Sequence, residues 1–215
     1  MSIPAPTFLS ILLSRGTSPA LVWYGDQERI ELSGKVVAMH LAKITQYLLD
    51  DLGVDSSSTL VLDLPPHWKS VMWALAGQLA ECTVALEAGE VSWNDVVVTS
   101  HPTQPDSNAT NLALTLESLA FSWPGELPEG YDDAASVPMR YPDSIDPYML
   151  TGEVDGLTPP SAETPMLAVP PNDLQTLPKQ FAGAISHGYG LVIISPQANT
   201  ERVISGENAS TWGRI

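Results

Sequence analysis

Apolar positions along this chain fall into two kinds of run. Some are short and unbroken, and others recur every three or four residues over a longer stretch. Leu60 to Leu64 is nearly continuous, as a strand buried on both faces of a parallel sheet is. Thr83–Leu86, Asp95–Thr99, Met166–Val169 and Leu191–Ile194 are strand-sized in the same way. Asn111 to Leu116 alternates, which predicts a strand with one wetter face. Ala20–Tyr24 and Arg29–Leu32 flank Gly25-Asp26 and read as an antiparallel hairpin.

The longer runs are helical. From Ser33 to Leu52, Val37, Leu41, Ile44 and Leu48 share one face, while Lys35, Lys43, Gln46 and Asp50 lie mostly off it. Ser33 is placed to cap this helix, and Gly53 follows where a left-handed residue is commonly needed. Pro65-Pro66 stops the strand before it and opens a second helix that ends near Cys82. Trp68, Val71, Met72, Leu75 and Leu79 make its apolar face, with small Ala74, Ala76, Gly77 and Ala80 beside them. A third helix, capped by Asn172 or Asp173, turns Leu174, Leu177, Phe181 and Ile185 inward. Strands alternating with helices predict an α/β fold: a mainly parallel sheet with helices on both faces, plus a small N-terminal antiparallel hairpin.

Residues 1–215 read as a single α/β domain carrying an irregular, proline-rich insertion at about 123–165. A short helix is expected there over Tyr131 to Val137. A stretch this long without regular structure is either an ordered lid or a flexible connection.

Composition narrows the partners. The net charge of −16 repels a phosphate backbone and an anionic bilayer, which argues against nucleic acid and membrane surfaces. It also favours a neutral or cationic ligand over a polyphosphate. Phe8 to Leu13 is too short to span a membrane and has no basic leader, so a soluble, cytoplasmic protein is expected. Cys82 is the only cysteine, at the end of an apolar helix, and reads as a buried, inert thiol.

Candidate chemistry is sparse. His40, His67, His101 and His187 are too scattered for a metal signature, and no metal or cofactor is implied. Ser186 lies at a helix end before a strand, the reverse of a nucleophile elbow. Asp132-Asp133, Asp143, Asp146, Glu153 and Asp155 cluster in proline-rich sequence, where cation binding and plain solvation explain them equally well. Trp93, Trp123 and Trp212 lie near loops and could mark an interface, whereas Trp68 and Trp73 belong to the core. His67 and His101 each follow the carboxyl end of a strand, the edge where open α/β sheets bind ligands. Pro66, His67, Ser100 and His101 are therefore the expected ligand-site residues, with the 123–165 segment as a cover.

The order of elements from Ala20 to Leu86 resembles the opening of the adenylate-forming, AMP-binding enzymes, the acyl-CoA synthetases among them. Leu62-Asp63-Leu64-Pro65-Pro66 and Leu79-Ala80-Glu81-Cys82-Thr83-Val84 hold the places of that family's strand, proline turn and next strand. Glu81 stands where the family usually has Gly. The resemblance covers about a third of the chain and concerns scaffold positions. It implies a phosphate loop of Ser, Thr and Gly ending in Lys-Gly, but Ser100-His101-Pro102-Thr103 supplies neither the glycines nor the lysine. The 215 residues also leave no room for the family's mobile C-terminal domain. The chain as a whole is similar to short bacterial proteins that look like such enzymes. Three readings stand open. The first is a non-catalytic protein that binds a small molecule or a protein partner. The second is an acyl- or nucleotide-activating enzyme with an atypical site, and the third is a self-associating structural module that forms homo-oligomers.

Overall fold

The computed structural model of the chain describes residues 1–26, 28–87, 89 and 91–213. β1 (Ser2–Pro4) runs into α1 (Ala5–Ser14), which tolerates Pro6 in its first turn. β2 (Pro19–Tyr24) and β3 (Arg29–Ser33) form the expected antiparallel hairpin. α2 (Gly34–Gln46) starts where the Ser33 hydroxyl oxygen accepts from the Val36 amide at 3.3 Å. It loosens into a π-type turn over Tyr47–Asp51, and Gly53 then takes a φ of 63°.

β4 (Thr59–Asp63), α3 (Trp68–Leu79) and β5 (Thr83–Ala85) follow as a strand–helix–strand unit. β6 (Val96–Thr99), β7 (Thr110–Ala113) and the two-residue β8 (Asp132–Asp133) extend the same sheet. β9 (Glu153–Asp155) precedes a second such unit, β10 (Met166–Val169), α4 (Leu177–Ser186) and β11 (Gly190–Ile194). α5 (Thr200–Gly206) and β12 (Ala209–Thr211) close the described chain.

The α/β class, the mainly parallel strands and the hairpin are those the sequence predicts. The strands divide, however, between two five-stranded sheets. One has the order β12-β10-β11-β2-β3 and is parallel except for β3, and the other has the order β5-β4-β6-β7-β8 and is parallel throughout. Helices lie between them. α2 packs on β2 and β3, α3 on β4 and β5, and the two helices touch along their length. One apolar core joins Leu21, Leu191 and Ile193 of the first sheet to Leu60, Leu62 and Val98 of the second. α5 covers the other face of the first sheet through Val203, over Val22, Val192 and Ile194.

α3 is buried on every side except at Gln78. Helices apolar all round are core helices. This one ends in a Schellman turn: the Cys82 amide donates to the Gly77 carbonyl at 2.9 Å and the Glu81 amide to that of Gln78 at 3.2 Å. Glu81 takes a φ of 63°, the conformation glycine adopts freely. The Cys82 thiol behind it is buried, and burial pushes its pKa up to about 12.

Three local expectations differ from the structure. No helix covers Tyr131 to Val137. Asp132-Asp133 pairs with β7 instead, and the Asp133 carboxylate turns the chain by accepting from the Ala135 and Ser136 amides. The third helix begins at Leu177, and Asp173 caps only the turn before it, accepting from the Thr176 amide at 2.5 Å. Lys43, expected mostly off the apolar face of its helix, is buried, because the proline-rich segment lies over it.

That segment returns as a strap between α3 and α4. β9 pairs antiparallel with β1, the Ala5 amide donates to the Gly152 carbonyl, and the Leu157 amide donates to that of Lys179. Glycines permit the close approach. A Cβ on Gly183 would lie 1.7 Å from the Leu157 carbonyl oxygen, and one on Gly152 would lie 2.2 Å from that of Gln78. Gly183→Ala should therefore destabilise the protein by about 2–3 kcal/mol in urea denaturation, since the clash is with backbone. Glu81→Gly should raise stability by about 0.5–1 kcal/mol, by relieving a left-handed residue and an anion at a helix C-terminus.

Candidate functional site

Lys69 sits in the first turn of α3, 7% exposed, in a helix otherwise built of apolar and small residues. Its ammonium donates to the carbonyls of Thr115 at 2.9 Å, Glu117 at 2.5 Å and Ala120 at 3.2 Å. All three of its N–H groups are thus used. Desolvation by burial lowers its pKa to about 8. Lys43 forms a second tether from α2, donating to the carbonyls of Met139 at 3.2 Å and Tyr141, with Asp143 2.8 Å away. Each lysine ties one irregular segment to one helix.

A cavity of about 300 Å³ opens between these two tethered segments. Met39, His40 and Ile44 of α2 and Trp68, Met72 and Trp73 of α3 form its base. Ile30 and Leu32 of β3 close one side. Leu119 to Phe121 and Ala134, Ala135 and Met139 form the two lips. The only polar residues in the lining are His40, Lys69 and Ser118, and no carboxylate is among them.

Ser118 is committed as firmly as Lys69. Its hydroxyl accepts from Trp68 Nε1 at 3.0 Å and donates to Glu28 Oε1 at 2.6 Å, and the same Glu28 oxygen accepts from Trp23 Nε1 at 3.2 Å. His40 stands edge-on to Trp68, with ring centroids 5.7 Å apart. Desolvation, then the Lys69 and Lys43 charges, lower its pKa to about 4, so the ring is neutral near pH 7. A neutral imidazole offers one donor and one acceptor. The arrangement can thus bury an apolar group and offer it a single adaptable hydrogen-bonding partner.

The residues expected at the carboxyl edge are split. Pro66 and His101 meet in a separate cleft of about 440 Å³, together with Asp63, Asn172 and Asp173. Ser100 lies beside them, its hydroxyl 3.0 Å from His101 Nδ1. The His101 amide donates to Thr99 Oγ1, which donates to Asp63. His67 points the other way. It is buried against Trp23, ring centroids 4.8 Å apart, and its Nδ1 accepts from the Lys69 amide as the cap of α3. Desolvation, then the Lys69 charge, lower its pKa to about 3. Trp93 is 84% exposed, while Trp123 and Trp212 are half-buried.

The cavity residues were visible in the sequence only as oddities. Lys69 interrupts a largely apolar helix, and Leu119-Ala120-Phe121 is an apolar run next to irregular sequence. Nothing in the sequence brings those two segments together. Among the described residues no cluster of three or more His, Cys, Asp or Glu is arranged to hold a metal, and no helix is long and apolar enough to cross a membrane.

No family model matches the sequence, and no curated protein does. The fold is found among solved structures. An acyl-CoA synthetase of Brucella canis superposes with a TM-score of 0.67 at 12% identity, over 98% of this chain and 47% of its own. The acetoacetyl-CoA synthetase of Streptomyces lividans superposes with a TM-score of 0.66 at 11% identity, over 98% of this chain and 42% of its own. This chain spans less than half the length of either, and at such identity the likeness is one of fold.

The two buried histidines give a pH signature. Both have folded pKa values below the ordinary 6.5. Their contribution is complete above that value and is lost as pH falls towards about 4 and about 3. Between about pH 6.5 and pH 5 each should remove about 2 kcal/mol of stability. Urea denaturation at both pH values checks this, and His67→Asn, which keeps the cap, should flatten the slope by about half.

Proposed function

We propose that this chain is a non-catalytic binding protein that holds an apolar, acyl-like group in the cavity between α2 and α3. The observation that carries this reading is the lining: apolar residues on every side, with Lys69 and Ser118 already saturated by protein partners. Neither is presented as a nucleophile beside a free base, which is what covalent chemistry needs. A pocket of about 300 Å³ is at the small end of small-molecule sites and suits a short or medium chain or one ring system. Two proteins of like fold are acyl-CoA synthetases by name, which makes an acyl chain the first candidate.

Local charge refines the choice. The whole chain carries −16, which disfavours anions at long range. Inside the cavity the Lys69 ammonium is spent on three carbonyls and already feels the Glu117, Glu28 and Asp133 carboxylates. An apolar tail therefore fits this site with its polar head left at the mouth, and a polyphosphate does not. The 215 residues carry no Gly-rich loop with a lysine to position ATP phosphates.

A second site is proposed at the cleft of Pro66, Ser100 and His101, for a small polar ligand. The observation favouring it is the meeting of Pro66 and His101 with Asn172 at the strand ends. His67 contributes there only through the scaffold, so His101→Ala is the informative change.

Displacement of anilinonaphthalene sulfonate by straight-chain acids from hexanoate to tetradecanoate tests the main reading. Saturable displacement with an optimum in chain length is expected, and Ala135→Phe, which fills the cavity, should weaken it at least about tenfold. Displacement unaffected by Ala135→Phe would contradict it. ATP–pyrophosphate exchange that depends on both acid and protein would contradict the non-catalytic part.

A further inference from the structure

Leu119 and Phe121 line the cavity yet are 75% and 78% exposed. Exposed apolar side chains scattered singly need no explanation, but two on one lip of an apolar cavity do. Their segment does not hang loosely. The carbonyls of Thr115, Glu117 and Ala120 are held by Lys69, and the Ser118 side chain is held by Trp68 and Glu28. Ser118 is buried while Leu119 and Phe121 on either side of Ala120 are exposed, so the backbone tether presents these two side chains at the mouth. Neither adds to the buried core of the unliganded protein.

Resting on the cavity reading above, we infer that Leu119 and Phe121 are the ligand-recognition residues of this site. They form an apolar lip that an acyl chain covers when it enters, and Lys69 acts as the positioning residue that holds the lip in place. Apolar area left in water by the free protein is buried only in the complex, so it contributes to affinity and not to folding. Met72 and Trp73 of α3 line the same cavity and give the tail an apolar wall to pack against.

The test is the double change Leu119→Ser with Phe121→Ser, assayed with dodecanoate against anilinonaphthalene sulfonate. The melting temperature of the unliganded variant should stay within about 1 °C of wild type. Affinity for dodecanoate should fall at least about tenfold, and Leu119→Met with Phe121→Leu should restore it to within about twofold. Lys69→Met should give fast amide exchange across Thr115–Phe121 together with the same loss of affinity. Wild-type-like affinity in the double serine variant would overturn the proposal while leaving the cavity reading intact. A large fall in melting temperature would overturn it too, by making both residues parts of the fold. If wild type displaces no dye with any acid, the cavity reading fails and this inference with it.

Discussion

The Lys69 ammonium, buried in the first turn of the most deeply enclosed helix, donates to three carbonyls of the turn after β7. Irregular backbone close to a core must find partners for its polar groups, and carbonyls left without them are costly. A charged donor supplies bonds worth about 1.5–3 kcal/mol each. Burial works against the same charge, as the lowered pKa records. The balance holds because all three donors are used. Removing the amine alone would leave three carbonyls facing an apolar helix, so the turn, the lip and the cavity depend on one side chain. Lys43 repeats the device one helix away, holding the segment that begins at Met139.

These two tethers explain how a chain with nineteen prolines keeps a defined cavity. Helices α2 and α3 are packed between two sheets and cannot shift without disturbing the core that joins Leu21 to Leu62. The irregular segments have little ladder of their own beyond the short β8 and β9. They borrow the rigidity of the helices through lysine tethers on one side and through the β1–β9 strap on the other. The cavity is what remains between two loops that are each held at a distance from the helices.

Much of this was legible in the sequence. Ser33 capping α2, Gly53 after it and the unbroken runs of β4, β6, β10 and β11 are local signals, and they read correctly because local physics decides them. Partition between two sheets was not legible, since a strand buried on both faces looks the same in either. The pairing of Ser2–Pro4 with Glu153–Asp155 joins residues about 150 apart and leaves no periodic trace. Lys43 and Lys69 looked like ordinary helical lysines because what buries them comes from distant proline-rich and turn segments. At the expected edge site, Pro66 and His101 share a cleft while His67 faces the core, because it must cap α3 and pack on Trp23. Glu81 is the informative departure: where the resembling family usually has Gly, the chain keeps the left-handed turn and places Glu in it.

The proposed function requires the space between α2 and α3 to be a preformed ligand cavity held open by the two lysine tethers. The six methionines report on it directly, because Met39, Met72 and Met139 line the cavity while Met1, Met149 and Met166 do not. Methyl-labelled methionine spectra recorded during titration with decanoate would separate the two sets. The account predicts saturable shifts of Met39, Met72 and Met139 together, with Met1, Met149 and Met166 unmoved. Shifts confined to Met1 or Met149, or no shift at concentrations that displace the dye, would contradict it.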